Sequence, residues 1–166
     1  MVTIDTQRQA QWLTSHGMPV TLASAELPSW STCRGKQLDG VSAAQSFAIA
    51  RAFVHILCED DPGSCLIVVH EHGVWTSSEN LSLYYIWRSS HGTMSLLDEQ
   101  GGHLFLGFER NDLINLVHMA ILFGWGVSAY NATASIAFKI NHDGNVTFFV
   151  RDGQRIGMIP DVLQES

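Results

Sequence analysis

Cys65-Leu66-Ile67-Val68-Val69-His70-Glu71-His72-Gly73-Val74-Trp75-Thr76-Ser77-Ser78-Glu79 is the stretch on which the reading of this chain turns. Its first five residues are a continuous apolar and largely β-branched run. Such a run, bounded by turn residues, predicts a central strand covered on both faces. Thr76 and Glu79 stand three apart, the spacing of a capping box, where a hydroxyl satisfies one orphan amide and an acid reaches back to another. A helix should follow, carrying Leu83, Tyr84, Ile86 and Trp87 and closed by Ser90-His91-Gly92. Short strands are expected at Met94 to Leu97 and Leu104 to Phe108, around Gly101-Gly102. Leu113, Leu116, Val117, Ala120 and Ile121 then repeat at helical spacing until Gly124.

Outward from this centre, Thr6 and Gln9 predict a capped first helix that ends at Gly17. Val20 to Leu27 reads as a strand, placed near an edge by Pro19. Leu27 to Gly40 reads as a long loop. Ser42 and Gln45 repeat the capping spacing before a helix of about Ala43 to Cys58, whose apolar stripe is Phe47, Ala50, Val54 and Leu57. After Gly124 the chain is rich in strand formers: Val127 to Tyr130, Ser135 to Ile140 and Val146 to Val150. Asn141-His142-Asp143-Gly144 supplies turn chemistry for a hairpin between the last two. The tail after Asp152 reads as irregular. Helices cover the first two-thirds and hairpin strands close the chain. The expected fold is a single α+β domain with a mixed, largely antiparallel sheet and three to four helices packed on it.

Composition narrows the function classes. At 166 residues the chain can bury about 70% of its unfolded surface without a disulfide or metal staple. Only 15% of residues are charged, below the usual value of about 25%, so more apolar surface than average is left over. Nine Lys and Arg face sixteen Asp and Glu, for a net charge of -7. That balance repels nucleic-acid backbones and anionic membranes and attracts a basic protein. Cys33, Cys58 and Cys65 are odd in number and lack CxxC spacing, which argues against a disulfide framework. The first residues hold no basic-then-apolar signal region, and no apolar run approaches the roughly 20 residues of a membrane helix. A cytoplasmic, reduced chain is the expectation. The sequons at Asn80, Asn131 and Asn145 then carry no meaning.

Motifs that carry chemistry are incomplete. His70 and His72, at i and i+2 on a strand, would share a face and could converge on a metal. A metal needs a third and fourth ligand at defined distance, which no neighbouring residue supplies. Glu71 would point away from both. Gly124-Trp125-Gly126-Val127-Ser128-Ala129 fits GxGxxA superficially, but a helix precedes it and a strand follows, the reverse of what phosphate binding requires. No GxSxG nucleophile elbow exists. Cys33 with a distant His could form a thiol site, flagged only by a loop that would expose the thiol. His142-Asp143 could work as an acid/base pair, yet Asp-Gly is also what a tight turn wants. Asp98-Glu99 are adjacent carboxylates at a turn, better placed to meet a basic partner than to be desolvated for catalysis.

The aromatics say more. Trp75, Tyr84, Tyr85 and Trp87 lie close together among Glu71 and Glu79. Adjacent Tyr84 and Tyr85 on one helix cannot both enter the same core. Aromatics ringed by acids serve as anchors in protein interfaces.

Gly73-Val74-Trp75-Thr76-Ser77-Ser78-Glu79-Asn80 with Leu83-Tyr84-Tyr85 and Arg88, then Gly102-His103-Leu104-Phe105-Leu106, Asp112-Leu113, Gly124-Trp125 and His142-Asp143, form a pattern over about Leu66 to Phe149. It resembles short, acidic bacterial proteins of the immunity-protein type, which neutralise toxins by binding them. The resemblance implies a protein-binding role and carries no catalytic residues over. The leading expectation is thus a non-enzymatic domain with no cofactor that binds a protein partner such as a basic toxin. Glu71, Trp75, Glu79, Tyr84, Asp98 and Glu99 would be its anchors or charge partners. The alternatives are a small hydrolase or metal-assisted enzyme using His70/His72 or His142/Asp143, and a homodimer.

Overall fold

The computed structural model describes residues 1–18, 30–35, 37–38, 40–58, 63–71, 78–94, 100–133 and 135–151. The elements are β1 (Val2–Asp5), α1 (Thr6–Ser15), β2 (Trp30–Arg34), α2 (Ala43–Cys58), β3 (Ser64–His70), α3 (Ser78–Ser90), β4 (Gln100–Leu106), α4 (Arg110–Phe123), β5 (Gly126–Asn131), β6 (Ile136–Ile140) and β7 (Val146–Arg151). A 3-10 turn, Gly107–Glu109, leads into α4. The strands form one sheet in the order β1-β4-β3-β5-β6-β7-β2, and every neighbouring pair is antiparallel. The α+β class with a largely antiparallel sheet is as expected; among the described residues every strand pair is antiparallel.

β3 sits inside the sheet between β4 and β5 and is covered on both faces, as its continuous apolar run requires. Cys65, Ile67 and Val69 point into the larger core with α2, α3 and α4, while Leu66 and Val68 face a smaller core under α1. The same alternation runs through β7, where Phe148 joins the first core and Phe149 the second. Phe53 of α2 is buried in the larger core, with its ring centroid 5.2 Å from that of Phe138 and 5.3 Å from that of Phe148. The Cys58 and Cys65 sulfurs lie 3.4 Å apart, where the end of α2 meets the start of β3. Among the described residues no helix is long and apolar enough to cross a membrane.

Local chemistry explains most boundaries. Ser42 and Gln45 form the expected reciprocal cap: the Ser42 N–H donates to Gln45 Oε1 (2.9 Å) and the Gln45 N–H to Ser42 Oγ (3.3 Å). Gly124 closes α4 in the left-handed conformation with φ 64°, while the Trp125 N–H returns to the Ala120 carbonyl. In the β6–β7 turn the Asn145 N–H donates to Asn141 Oδ1 (2.8 Å).

Five readings are corrected. The cap of α1 is Asp5, whose Oδ1 accepts from the Arg8 N–H at 2.8 Å; Thr6 is already helical. β1 is a strand that its four residues did not announce. β2 lies inside the expected 27–40 loop and pairs with β7, the guanidinium of Arg151 resting over the Trp30 ring at 5.3 Å. Gly101 and Gly102 lie within β4 rather than in a turn. A Cβ on Gly101 would run into the backbone of Asp5 and Thr6, and one on Gly102 would lie 2.9 Å from the Ile67 carbonyl, so the glycines let three strands close up. In the α2 stripe, Ala50, Val54 and Leu57 are buried as expected, but Phe47 is half exposed against the edge of His118. The Val20 to Leu27 strand, the Thr76 cap, most of the Met94 to Leu97 strand and the tail after Asp152 fall outside the described residues.

Candidate functional site

The end of β3, the first turn of α3, the end of α4 and the β6–β7 turn meet at one end of the sheet. Asn80 donates from Nδ2 to the Phe123 carbonyl (3.3 Å), and a Cβ on Gly124 would come within 3.2 Å of the His142 carbonyl. This end gathers His70, Glu71, Glu79, His142 and Asp143, which the sequence holds far apart.

Glu71 follows β3 with φ 63°, an unusual conformation for a residue with a Cβ. The turn swings its carboxylate back over Gly126. A Cβ there would collide with Glu71 Oε2 and lie 2.6 Å from His70 Nδ1. Glu71 Oε2 accepts from the His142 N–H at 3.0 Å and lies 3.2 Å from His142 Nδ1. Its Oε1 is 3.7 Å from His70 Nδ1. On the far side of the His142 ring, Nε2 is 3.3 Å from Asp143 Oδ1. The His142 imidazole therefore stands between two carboxylates. Partial burial works to raise the Glu71 pKa, but the backbone and side-chain hydrogen bonds from His142, with the charges of His70 and His142, outweigh it and hold the carboxyl below its usual range.

His70 Nε2 also lies 3.2 Å from Ser128 Oγ, so a serine, an imidazole and a carboxylate fall in sequence. The arrangement departs from a nucleophilic relay in two respects. Ser128 is only 6% exposed within β5, and the His70–Glu71 separation exceeds hydrogen-bond range. Among the described residues no three His, Cys, Asp or Glu side chains are arranged to hold a metal ion. His72, Trp75, Asp98, Glu99 and the Cys33 side chain lie outside the described residues.

α3 divides the remaining candidates by face. Glu79 is exposed in its first turn, where an acid favours the helix dipole. Tyr84 is fully buried and is corrected from a surface anchor to a core residue. Its hydroxyl meets His103 Nε2 at 2.7 Å, and its ring packs on Trp125 and Trp87. Helix geometry makes the choice: at about 100° per residue only one of two adjacent tyrosines faces the sheet, and Tyr85 is the one left 40% exposed. Beside it Leu83 and Ile86 are exposed too, Ile86 to 66%. Glu79, Leu83 and Ile86 stand at i, i+4 and i+7, one outward stripe.

Beneath that stripe lies a network that sequence reasoning missed. Arg88 and His103 are both fully buried. The Arg88 guanidinium lies 5.5 Å from the ring centres of both Tyr84 and Tyr85. His103 Nδ1 is 3.1 Å from Thr3 Oγ1, which is 2.8 Å from Thr93 Oγ1. Burial first, then the charges of Arg88 and His91, push the His103 pKa down to about 3. One signal was available: Asn80, Tyr84 and Arg88 are spaced four apart, so a polar stripe faces the core.

No protein-family model, curated protein or solved structure matches the chain.

Proposed function

We propose that this chain is a non-enzymatic protein-binding domain that docks a basic protein partner through the outer face of α3, in the manner of an immunity protein covering a toxin. The observation that carries the reading is the Glu79–Leu83–Ile86 stripe with Tyr85 beside it. It places apolar area and an aromatic anchor on a fixed helix, next to an acid. The net charge of -7 would speed encounter with a basic partner. The ionised Glu71 at the same end adds to that field. The test is a photo-crosslinking residue at position 86, with a second at Gln11 of α1 as control, in extract of the source cells. A discrete adduct with a basic protein at position 86 only, lost in Leu83→Asp and weakened in Glu79→Lys, is expected. An adduct with the chain itself would instead mean a homodimer. Equal labelling at both positions, or no discrete adduct, would remove the proposal.

A small hydrolase is the second reading. It is favoured by the Ser128–His70–Glu71 succession with His142–Asp143 beside it. Labelling of Ser128 by a fluorophosphonate probe, abolished by His70→Ala, would favour it over binding. Absence of labelling in the folded protein would dismiss it.

A further inference from the structure

α2 and α4 pack side by side and leave an open groove of about 890 Å³ between their outer faces. It shares no residue with the α3 stripe. Arg51 and His55 line one wall, one helical turn apart, and Arg110 and Asn111 line the other. Arg110 Nη2 is 3.0 Å from His55 Nδ1, which ties the two walls together. Phe47 and Ile114 supply apolar surface alongside.

The charge of this groove runs against that of the molecule. The chain is strongly acidic, with only nine Lys and Arg, yet two arginines line this one groove. Among the described residues no Asp or Glu lines the groove, and neither arginine forms an ion pair. Two guanidiniums opening onto one groove from facing walls would both gain from a shared anion. Their planar donors match phosphate oxygens in pairs. A phosphate monoester carries about -1.5 to -2 charge at neutral pH, which suits two permanent cations better than a single carboxylate would. The Asn111 amide can donate further, and Phe47 and Ile114 can cover an apolar body. The volume lies in the range of small-ligand clefts, roughly 300–1,000 Å³.

We infer that the α2–α4 groove is a binding site for a small organic phosphate, with Arg51 and Arg110 as the anion clamp. The site stands independently of the α3 interface. Phenyl phosphate is the probe, titrated into ¹⁵N-labelled full-length protein and followed by amide chemical shifts. Saturable shifts confined to α2 and α4 are expected, with benzoate binding at least tenfold more weakly. Arg51→Gln and Arg110→Gln should each weaken phenyl phosphate at least tenfold while leaving the far-ultraviolet circular dichroism unchanged. Shifts that do not saturate, that map elsewhere, that are equal for benzoate, or that persist in both variants would overturn the assignment.

Discussion

The buried His103 makes the fold sensitive to mild acid. Folded His103 takes up a proton only near pH 3, against 6.5 for an unperturbed histidine. Between these values the unfolded chain binds the proton and the folded chain does not, so stability is full above pH 6.5 and falls as the pH drops toward 3. At about 1.4 kcal/mol per unit, the loss from this residue alone reaches about 2 kcal/mol at pH 5 and about 3 kcal/mol at pH 4. The cause is local. A second positive charge would stand beside the Arg88 guanidinium in a site closed to water. His103→Gln keeps a donor and acceptor near Tyr84 Oη but cannot titrate. Urea unfolding followed by tryptophan fluorescence is well placed to report, since the Trp87 ring lies 5.1 Å from His103. The variant should start about 1–3 kcal/mol less stable at pH 8, from imperfect hydrogen bonds. It should then lose about 2 kcal/mol less than wild type on going to pH 5. All other contributions are common to the two proteins and cancel in the comparison. Parallel stability losses in the two proteins would refute the reasoning.

Three further outcomes are expected. Phe53→Ala empties the space against Phe138 and Phe148 and should cost about 3–5 kcal/mol in chemical denaturation; a loss below about 1 kcal/mol would mean that the α2 contact with the sheet is wrong. Asp5→Ala removes the cap of α1 and should cost about 1 kcal/mol, whereas Thr6→Ala should be nearly neutral in the same melt. Gly126→Ala puts a methyl where Glu71 and His70 now lie, so it should destabilise by about 1–3 kcal/mol and shift the His142 ring resonances in NMR spectra; unchanged resonances would show that Glu71 does not hold that ring.

What the sequence disclosed follows how local each cause is. The Cys65–Val69 run, the Ser42/Gln45 box, Gly124 and the Asn141–Gly144 turn each act within a few residues, and the structure has them where they were read. β2 pairs with a strand near the other end of the described chain, and Ser31 and Thr32 suit a loop as well as an edge strand, so nothing nearby could reveal it. Gly101-Gly102 read as a turn because glycine is weak in strands; the close approach of β1 and β3 that calls for it is a tertiary fact. Tyr84 and Tyr85 were a phase ambiguity that helix pattern alone could not break, since both are aromatic and their neighbours Leu83, Ile86 and Trp87 are apolar on every side. The joining of Glu71 to His142 depends on the register of β3, β5 and β6, and no short window of sequence contains it.

The strand order has a consequence for how the molecule comes into being. Among the described strands β1 and β2 border the sheet, and both are made well before their partners β4 and β7. Neither strand can take up its native pairing before its partner has been made. Closing such distant pairings is slow, so newly made molecules spend time with open borders, ready to pair with one another. A cell making this protein quickly should therefore lose more of it to aggregation than one making it slowly.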